Sequence, residues 1–374
     1  MFTFCHRSVT QKVLNTLTFE PTPVEAIVNK IVRTITATAC GVLLSVSAMA
    51  GDISGAGATF PYPIYSKWAE AYKAKTNIGL NYQSIGSGGG IKQIKASTVT
   101  FGASDKPLEP KDLNDAGLIQ FPMIIGGVVP VVNVPGIKPG ELVLDGATVA
   151  SIYMGEITKW NDAHIKSLNP KLALPDLAIL PTYRSDGSGT NFLFTYYLSE
   201  VSPTFKTKIG ANSSVEWPTG IGAKGNEGVA NMTAQTVGAI GYVEYAYAKQ
   251  NKMIYVSLKN KDGKTVAPEA PAFQAAAANA DWSKAEGYYL ILANQAGAKS
   301  WPITGASFIL MYKDAKVPAE SIEALKFFDW AYANGGAMAA ELDYVPLPES
   351  LIKQVKKSWA SSLTGNGKPL WTGK

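Results

Sequence analysis

A glycine-containing turn that leads directly into a helical pattern occurs three times in this chain, and this repetition constrains the fold most strongly. The three turns are Ser54–Pro61, Gly86–Gly90 and Arg184–Thr190. Helical patterns follow over Tyr62–Ala74, from Ile91 and over Asn191–Leu198. Strand patterns such as Leu80–Ile85 alternate with helical ones along the rest of the chain. The sequence therefore predicts the α/β class.

The first backbone amides of a helix have no partner within the helix, and the helix dipole makes that end partly positive. The starts at Thr59-Phe60, Ser87-Gly88 and Ser188-Gly189-Thr190 also carry hydroxyl groups, and Arg184 adds a guanidinium. Such donors suit a small oxyanion. The alternative is that the turns only cap helices, with Thr59 as the cap of the first and with Arg184 and Asp186 paired on the outside.

Asp105 follows the short strand pattern Val99–Ser104, and the alternative role for it is the start of a turn. A buried carboxylate at an anion site repels its ligand unless the ligand brings a proton. Phosphate keeps a proton near neutral pH, whereas sulfate does not. An Asp105 acceptor therefore predicts selection of phosphate over sulfate. We expect Asp186 to orient Arg184 without touching the anion.

Groups for catalysis are scarce. The 374-residue chain has two histidines, His6 and His164, and two cysteines, Cys5 and Cys40. No zinc-protease, serine-hydrolase or metal-cluster motif appears. The net charge of +5 is small and dispersed, which argues against nucleic acid as a partner. We expect a binding protein, not an enzyme, with no catalytic residue, metal or cofactor.

The N-terminal part resembles an export signal. Two basic residues precede the apolar run Ile35–Ala50, which ends in small residues, so we expect cleavage after Ala50 and a mature protein in the periplasm or at the cell surface. Residues 1–50 then form an extension plus signal peptide, with translation starting near Val28 as one hypothesis. A membrane anchor and lipidation at Cys40 are the alternatives.

Two long apolar runs rich in β-forming residues, Phe121–Asn133 and Ile303–Tyr312, lie near prolines. We interpret them as strands that cross between two lobes. The predicted lobe I comprises residues 51–126 and 301–374, and the predicted lobe II comprises residues 127–300.

Four motifs in this order resemble the PstS-type phosphate-binding proteins, the periplasmic receptors of the high-affinity phosphate ABC transporter. They are Gly55–Pro61, Gly86–Gly89, Phe101–Asp105 and Arg184–Thr190. Further blocks of the resemblance are Glu141–Gly146, Lys159-Trp160, Gly238–Gln250 and Lys326–Tyr332. The resemblance covers residues 51–370. It departs from the family pattern where Ser87 precedes three glycines and where Tyr183 replaces a basic residue.

The resemblance implies a two-lobed type II periplasmic binding protein fold with a hinge of crossing strands. It implies phosphate contacts from Ala58, Thr59, Phe60, Ser87, Asp105, Arg184, Ser188, Gly189 and Thr190, with Asp186 paired to Arg184. The implied partners are an inner-membrane permease and its cytoplasmic ATPase, and the expected state is a monomer. A receptor for arsenate or sulfate, or a secreted phosphatase or adhesin on the same fold, is the alternative function.

Overall fold

The computed structural model describes residues 52–373. Strands β1 to β7 are Ile53–Gly57, Leu80–Ser84, Phe101–Ser104, Leu118–Val132, Val143–Leu144, Leu180–Arg184 and Ile221–Ala223. Strands β8 to β14 are Ala239–Glu244, Ile254–Tyr255, Ser257–Lys259, Thr265–Val266, Thr304–Tyr312, Thr364–Gly365 and Lys368–Pro369. The expected signal peptide and the Val28 start lie outside the described residues.

Helices occupy most of the segments between the strands. Helices α1 to α7 are Tyr62–Thr76, Ser87–Lys95, Pro110–Asp115, Gly146–Tyr153, Ala163–Leu168, Gly189–Val201 and Pro203–Lys208. Helices α8 to α13 are Gly225–Gln235, Tyr245–Gln250, Ala270–Ala278, Pro318–Asn334, Gly336–Glu341 and Glu349–Ser362. Short 3₁₀ turns lie at Trp282–Lys284 and Glu286–Tyr288. The α/β prediction is confirmed.

One nine-stranded sheet carries the fold, in the order β2-β1-β3-β12-β4-β8-β6-β7, with β9 paired to β4. The long strand β4 joins its two parts. Residues 118–127 of β4 pair antiparallel with β12, and residues 128–132 pair antiparallel with β8. We call the strands on the β12 side the first half-sheet and those on the β8 side the second half-sheet. The parallel pairs β1–β2, β1–β3, β6–β8 and β6–β7 lie within these halves.

The crossing point on β4 is fixed by the chain that enters β12. Val128 donates its amide to the Ile303 carbonyl at 2.8 Å, and the indole of Trp301 donates to the Val128 carbonyl at 2.9 Å. Trp301 is fully buried, so this bond has little competition from water. The strand predicted over Phe121–Asn133 therefore runs through both half-sheets. The lobe boundaries at residues 126 and 301 stay predictions.

The second turn differs from its prediction. Helix α2 begins at Ser87, not at Ile91, so the glycines after Ser87 lie inside the helix. The reason is close packing: a Cβ on Gly90 would lie 2.5 Å from the Cα of Gly57 and 2.6 Å from the Ala56 carbonyl oxygen. Glycine is a poor helix former, but here it allows the helix to contact β1 directly.

The predicted cap of helix α1 is also wrong. Pro61 occupies the N-cap position and no side chain caps the helix. The Thr59 side chain instead accepts hydrogen bonds from Asn226. Asn226 lies in helix α8, which connects strands β7 and β8 of the second half-sheet. The Thr59 hydroxyl therefore makes a tertiary contact instead of the local helix-capping contact that the sequence predicted.

Candidate anion-binding site

The turns at residues 86–90 and 184–190 lie in direct contact, although they follow strands of different half-sheets. The Gly88 amide donates to the Gly187 carbonyl at 2.8 Å. The Ser87 hydroxyl oxygen accepts from the amides of Gly189 at 3.0 Å and Asp105 at 3.1 Å. A Cβ on Gly189 would lie 2.6 Å from the Asp105 Cβ, so only glycine allows this approach. The structure thus places Asp105 beside the turn that carries Ser188.

Arg184 ends strand β6 and pairs with Asp186 through two hydrogen bonds. Its Nε and Nη2 atoms lie 2.8 and 2.6 Å from the two carboxylate oxygens, and the Gly225 amide donates to Oδ1 at 3.1 Å. The Arg184 side chain is 1% exposed and that of Asp186 is 12% exposed, so a pair on the outside is excluded. The remaining nitrogen, Arg184 Nη1, is buried without a hydrogen-bond partner among the described residues.

Asp186 is held in its charged form. Burial alone raises its pKa, but the hydrogen bonds and positive charge of Arg184, together with the Gly225 amide, outweigh burial and lower the pKa. A charged Asp186 in turn fixes the orientation of the guanidinium and offsets part of its charge.

Asp105 follows strand β3, and its pKa is shifted in the opposite direction from that of Asp186. It is 1% exposed, its Oδ2 lies 3.5 Å from the Ser87 hydroxyl, and its Oδ1 has no hydrogen-bond partner within residues 52–373. Burial raises the pKa of Asp105 to about 7, against the lowering effects of Ser307, Arg184 and Ser87. The group is therefore an acceptor that can share a proton near neutral pH.

Four backbone amides around these side chains are also unused. In the described part of the chain, the amides of Thr59 and Phe60 donate no hydrogen bond. Ser87 and Thr190 lie in the first turns of helices α2 and α6, where amides have no partner within the helix, and their amides donate to no other group among residues 52–373. All four residues are buried. Buried amides are rarely left without a partner in folded proteins. These amides and Arg184 Nη1 are unused donors, and Asp105 Oδ1 is an unused acceptor beside them.

The other predicted site residues are placed as follows. Ala58 donates its amide to the Ala103 carbonyl at 3.0 Å, so it offers no free amide. The Ser188 oxygen caps helix α6 by accepting from the Asn191 amide at 3.0 Å, which leaves its hydroxyl proton free to donate. The Gly189 amide is bonded to Ser87. The ligand contacts of these three residues stay predictions.

Three tyrosines that the sequence did not single out hold the first turn. Their hydroxyls donate to three successive carbonyls: Tyr82 to Ala58 at 2.7 Å, Tyr247 to Thr59 at 2.7 Å and Tyr344 to Phe60 at 2.6 Å. A hydrogen bond to a carbonyl strengthens donation by the amide of the same peptide group. The first two bonds therefore support the free amides of Thr59 and Phe60, because those amides share peptide groups with the bonded carbonyls.

Asn226, at the start of helix α8, was also missed. Its side-chain nitrogen donates to the hydroxyl oxygens of Thr59 at 2.7 Å and Thr190 at 3.2 Å. Its side-chain oxygen accepts from the Glu244 amide at 2.8 Å. The only signal in the sequence was the glycine-rich loop Gly220–Gly228, which precedes this helix and includes its first turn.

Within residues 52–373, no group of three or more His, Cys, Asp or Glu side chains is arranged to hold a metal ion. None of the helices in this range combines the length and apolar character needed to cross a bilayer. His164 lies near the start of helix α5 with its side chain 53% exposed, 3.8 Å from Asp145.

Comparison with known proteins places the chain among phosphate-binding proteins. Residues 45–334 match the family described as PBP superfamily domain. The phosphate-binding protein PstS of Xylella fastidiosa (strain 9a5c) is 56% identical over 309 residues, which cover 83% of this chain and 85% of that protein.

Solved structures share the fold at lower identity. A high-affinity periplasmic phosphate-binding protein (PfluDING) bound with phosphate has a TM-score of 0.65 and 22% identity, covering 85% of this chain and 96% of that one. An ABC-type phosphate transport receptor from Vibrio cholerae has a TM-score of 0.51 and 19% identity, covering 79% and 100%. These neighbours show the two-lobed periplasmic binding protein fold. By its sequence identity and its fold, the chain belongs to the PstS family of phosphate-binding proteins, within the PBP superfamily.

Proposed function

We propose that this protein binds inorganic phosphate in the periplasm and delivers it to the permease of an ABC transporter for import. The observation that carries the proposal is the buried set of unused groups. It contains four backbone amides, one guanidinium nitrogen and one carboxylate oxygen, contributed from both half-sheets. Family membership supports the same function.

The chemistry of these groups fits phosphate. The amides and Arg184 Nη1 donate to oxygens that carry negative charge, as charge-assisted hydrogen bonds. Asp105 accepts the proton of the phosphate hydroxyl through its unused oxygen. Sulfate has no such proton at neutral pH, so it faces Asp105 with an unsatisfied repulsion. The carboxylate therefore provides selectivity, and the neutral dipoles with Arg184 provide affinity.

In this proposal the predicted contacts divide between the two half-sheets. Thr59, Phe60, Ser87 and Asp105 bind from the first, where Ala58 lies beside them without a free donor, and Arg184 with the start of helix α6 binds from the second. The crossing in β4 acts as the hinge between lobe I and lobe II. The bond between Gly88 and Gly187 belongs to the closed arrangement, and its loss opens the site for release to the permease.

The proposal also covers the export of the protein, its oligomeric state and its partners. A signal peptide ending at Ala50 directs export, and the mature protein acts as a monomer. Its partners are the inner-membrane permease subunits and their cytoplasmic ATPase. The protein itself performs no catalysis and needs no cofactor.

Titration calorimetry of the mature protein, freed of ligand by unfolding and refolding, tests the function. We expect one phosphate per chain at neutral pH. Above pH 7, where Asp105 loses the proton that it could otherwise donate to sulfate, we expect a sulfate affinity lower by about a hundredfold or more, within the discrimination of about 10⁴ that an unpaired buried polar group can give. Arsenate keeps a proton and should bind in the phosphate range. Equal affinities for phosphate and sulfate, or no binding of phosphate, would contradict the proposal.

A further inference from the structure

We propose that Asn226 is a positioning residue that fixes the hydroxyl groups of Thr59 and Thr190 as hydrogen-bond donors toward the anion. This inference rests on the proposed function, because it concerns how the same site presents donors to phosphate. It assigns a role to a side chain outside the set of predicted contacts.

The orientation of the Asn226 amide is set by its neighbours. An asparagine side chain has one end that accepts and one that donates, and the surrounding network decides which end faces which group. The backbone amide of Glu244 can only donate, and it lies 2.8 Å from the Asn226 oxygen. The nitrogen end must therefore face the two threonines. Asn226 is fully buried, so water does not offer an alternative partner.

This orientation decides the polarity of the Thr59 hydroxyl. A hydroxyl oxygen has two lone pairs and one proton. Thr59 Oγ1 accepts from the Asn226 backbone amide at 3.2 Å and from its side-chain nitrogen at 2.7 Å. Both lone pairs are then occupied, and the only remaining capacity of Thr59 is donation of its proton.

Thr190 is constrained in the same direction. Its hydroxyl oxygen accepts from the Asn226 nitrogen at 3.2 Å, and that nitrogen cannot accept the threonine proton. Thr59 precedes helix α1 on the first half-sheet, and Thr190 lies in helix α6 on the second. One amide group therefore orients donors on both sides of the site.

Ser87 shows the same principle with backbone groups. Its oxygen accepts from the amides of Asp105 and Gly189, so its proton can only be donated, and in the ligand-free site it faces Asp105 Oδ2 at 3.5 Å. The deprotonated oxygens of phosphate offer acceptors alone, and a hydroxyl that presented a lone pair to them would repel them. In this scheme N–H groups occupy the lone pairs of the hydroxyls, and Asn226 is the side chain through which the scheme can be altered.

Phosphate calorimetry on a double-mutant cycle tests the inference. We expect Asn226→Ala to weaken phosphate binding by about tenfold to a hundredfold, the loss of two oriented neutral donors. In a Thr59→Val/Thr190→Val background the same substitution should change affinity by less than about twofold, because no hydroxyl is left to orient.

Two companion variants separate orientation from structure and charge. Asn169→Ala removes another buried asparagine, which bonds to the backbone of Val143 and Ile165, and should lower thermal stability without changing phosphate affinity. Asn226→Asp keeps the size and can still accept from Glu244, but it can only accept from the threonines. We expect it to bind phosphate more weakly than Asn226→Ala in the wild-type background. Any part of its effect that persists in the double-valine background measures charge repulsion.

The outcomes are distinguishable. Equal losses from Asn226→Ala in both backgrounds, with folded variants, would overturn the inference and leave phosphate binding intact. An Asn226→Asp variant that binds as well as the wild type would overturn it too. If the wild-type protein does not bind phosphate, the proposed function fails and the inference fails with it.

Discussion

Two aspartates lie at this site, Asp105 buried and Asp186 partly buried, and their surroundings shift their pKa values in opposite directions. Asp186 receives two hydrogen bonds from Arg184 and one from Gly225, and its pKa is lowered. Asp105 has one oxygen without a partner, and burial raises its pKa to about 7. The same side-chain type therefore serves once as a fixed anion and once as a proton acceptor.

The difference comes from the turns that carry them. Asp186 lies two residues after Arg184, so the ion pair forms within one turn of the second half-sheet. Asp105 follows a buried strand of the first half-sheet, where the hydroxyls of Ser307 and Ser87, the latter at 3.5 Å, offset only part of the effect of burial on its pKa. A site that pairs one carboxylate and leaves the other unpaired can attract an anion and still require that it carry a proton.

Replacing Arg184 should have the largest effect on anion binding. Arg184→Ala leaves the partly buried Asp186 without its cation, and breaking such a pair lowers the free energy of unfolding by up to about 3–5 kcal/mol. We expect phosphate and sulfate affinities to fall by about a thousandfold each, measured by calorimetry. Lys159→Ala is the control, since it removes a cation from an exposed pair with Asp176. A phosphate affinity within about threefold of the control would refute the role of the guanidinium.

Replacing Asp105 should alter selectivity more than affinity. In Asp105→Asn the side chain keeps its shape and gains a donor, so sulfate no longer meets a repelling oxygen. We expect the ratio of phosphate to sulfate affinity to fall by about a hundredfold, a part of the discrimination available from an unpaired buried group. Competition between the two anions in equilibrium dialysis measures the ratio. An unchanged ratio would show that selectivity comes from elsewhere.

The raised pKa of Asp105 predicts how stability depends on pH. The folded state holds the proton up to about pH 7, whereas the unfolded carboxyl releases it near pH 4. Between these values the folded state binds more protons, so stability is greatest at low pH and falls as pH rises. For the ligand-free protein we expect a loss of about 2 kcal/mol from pH 5 to pH 7 that is absent from Asp105→Asn.

Urea unfolding of both proteins across this range provides the measurement. Glu244 is buried, and burial raises its pKa, with a smaller contribution from the charge of Asp105. The difference between the two proteins therefore reports Asp105 together with its coupling to Glu244. If the two curves ran parallel, Asp105 would have an ordinary pKa in the folded state.

Asp186→Asn should have the smallest effect, and it should differ from Asp105→Asn by leaving selectivity unchanged. The variant loses a charge that orients Arg184 but no group that faces the ligand. We expect phosphate and sulfate affinities to fall together by less than about tenfold, with their ratio unchanged, because only the placement of a charge-assisted donor is affected. A change in the ratio comparable to that of Asp105→Asn would mean that both carboxylates contact the anion.

Local sequence sufficed for the parts of the site that lie within single turns. The Arg184–Asp186 pair, the helix start at Ser188 and the position of Asp105 after a strand all follow from residues close together in the chain. The glycines after Ser87 led to a wrong predicted start for helix α2. Their low helix propensity argued against a helix, but close packing against β1 required glycine there. The length of strand β4 was visible as an apolar run, although its pairing with two half-sheets was not.

The residues that sequence analysis missed act over long separations. Tyr344 is 284 residues from Phe60, and Asn226 is 167 residues from Thr59. A single tyrosine or asparagine in a helix or loop has no periodicity that reveals its partner. Such residues are identified only when the fold places their hydroxyl or amide beside a particular backbone group.

A crystal structure of the protein with inorganic phosphate would show directly whether Arg184, Asp105 and the unused amides bind the anion together. We predict a tetrahedral anion within hydrogen-bond distance of Arg184 Nη1, the amides of Thr59, Phe60 and Thr190, and Asp105 Oδ1, with Asp186 still bonded to Arg184. A phosphate bound elsewhere, or one bound here with Asp105 turned away from it, would contradict the account.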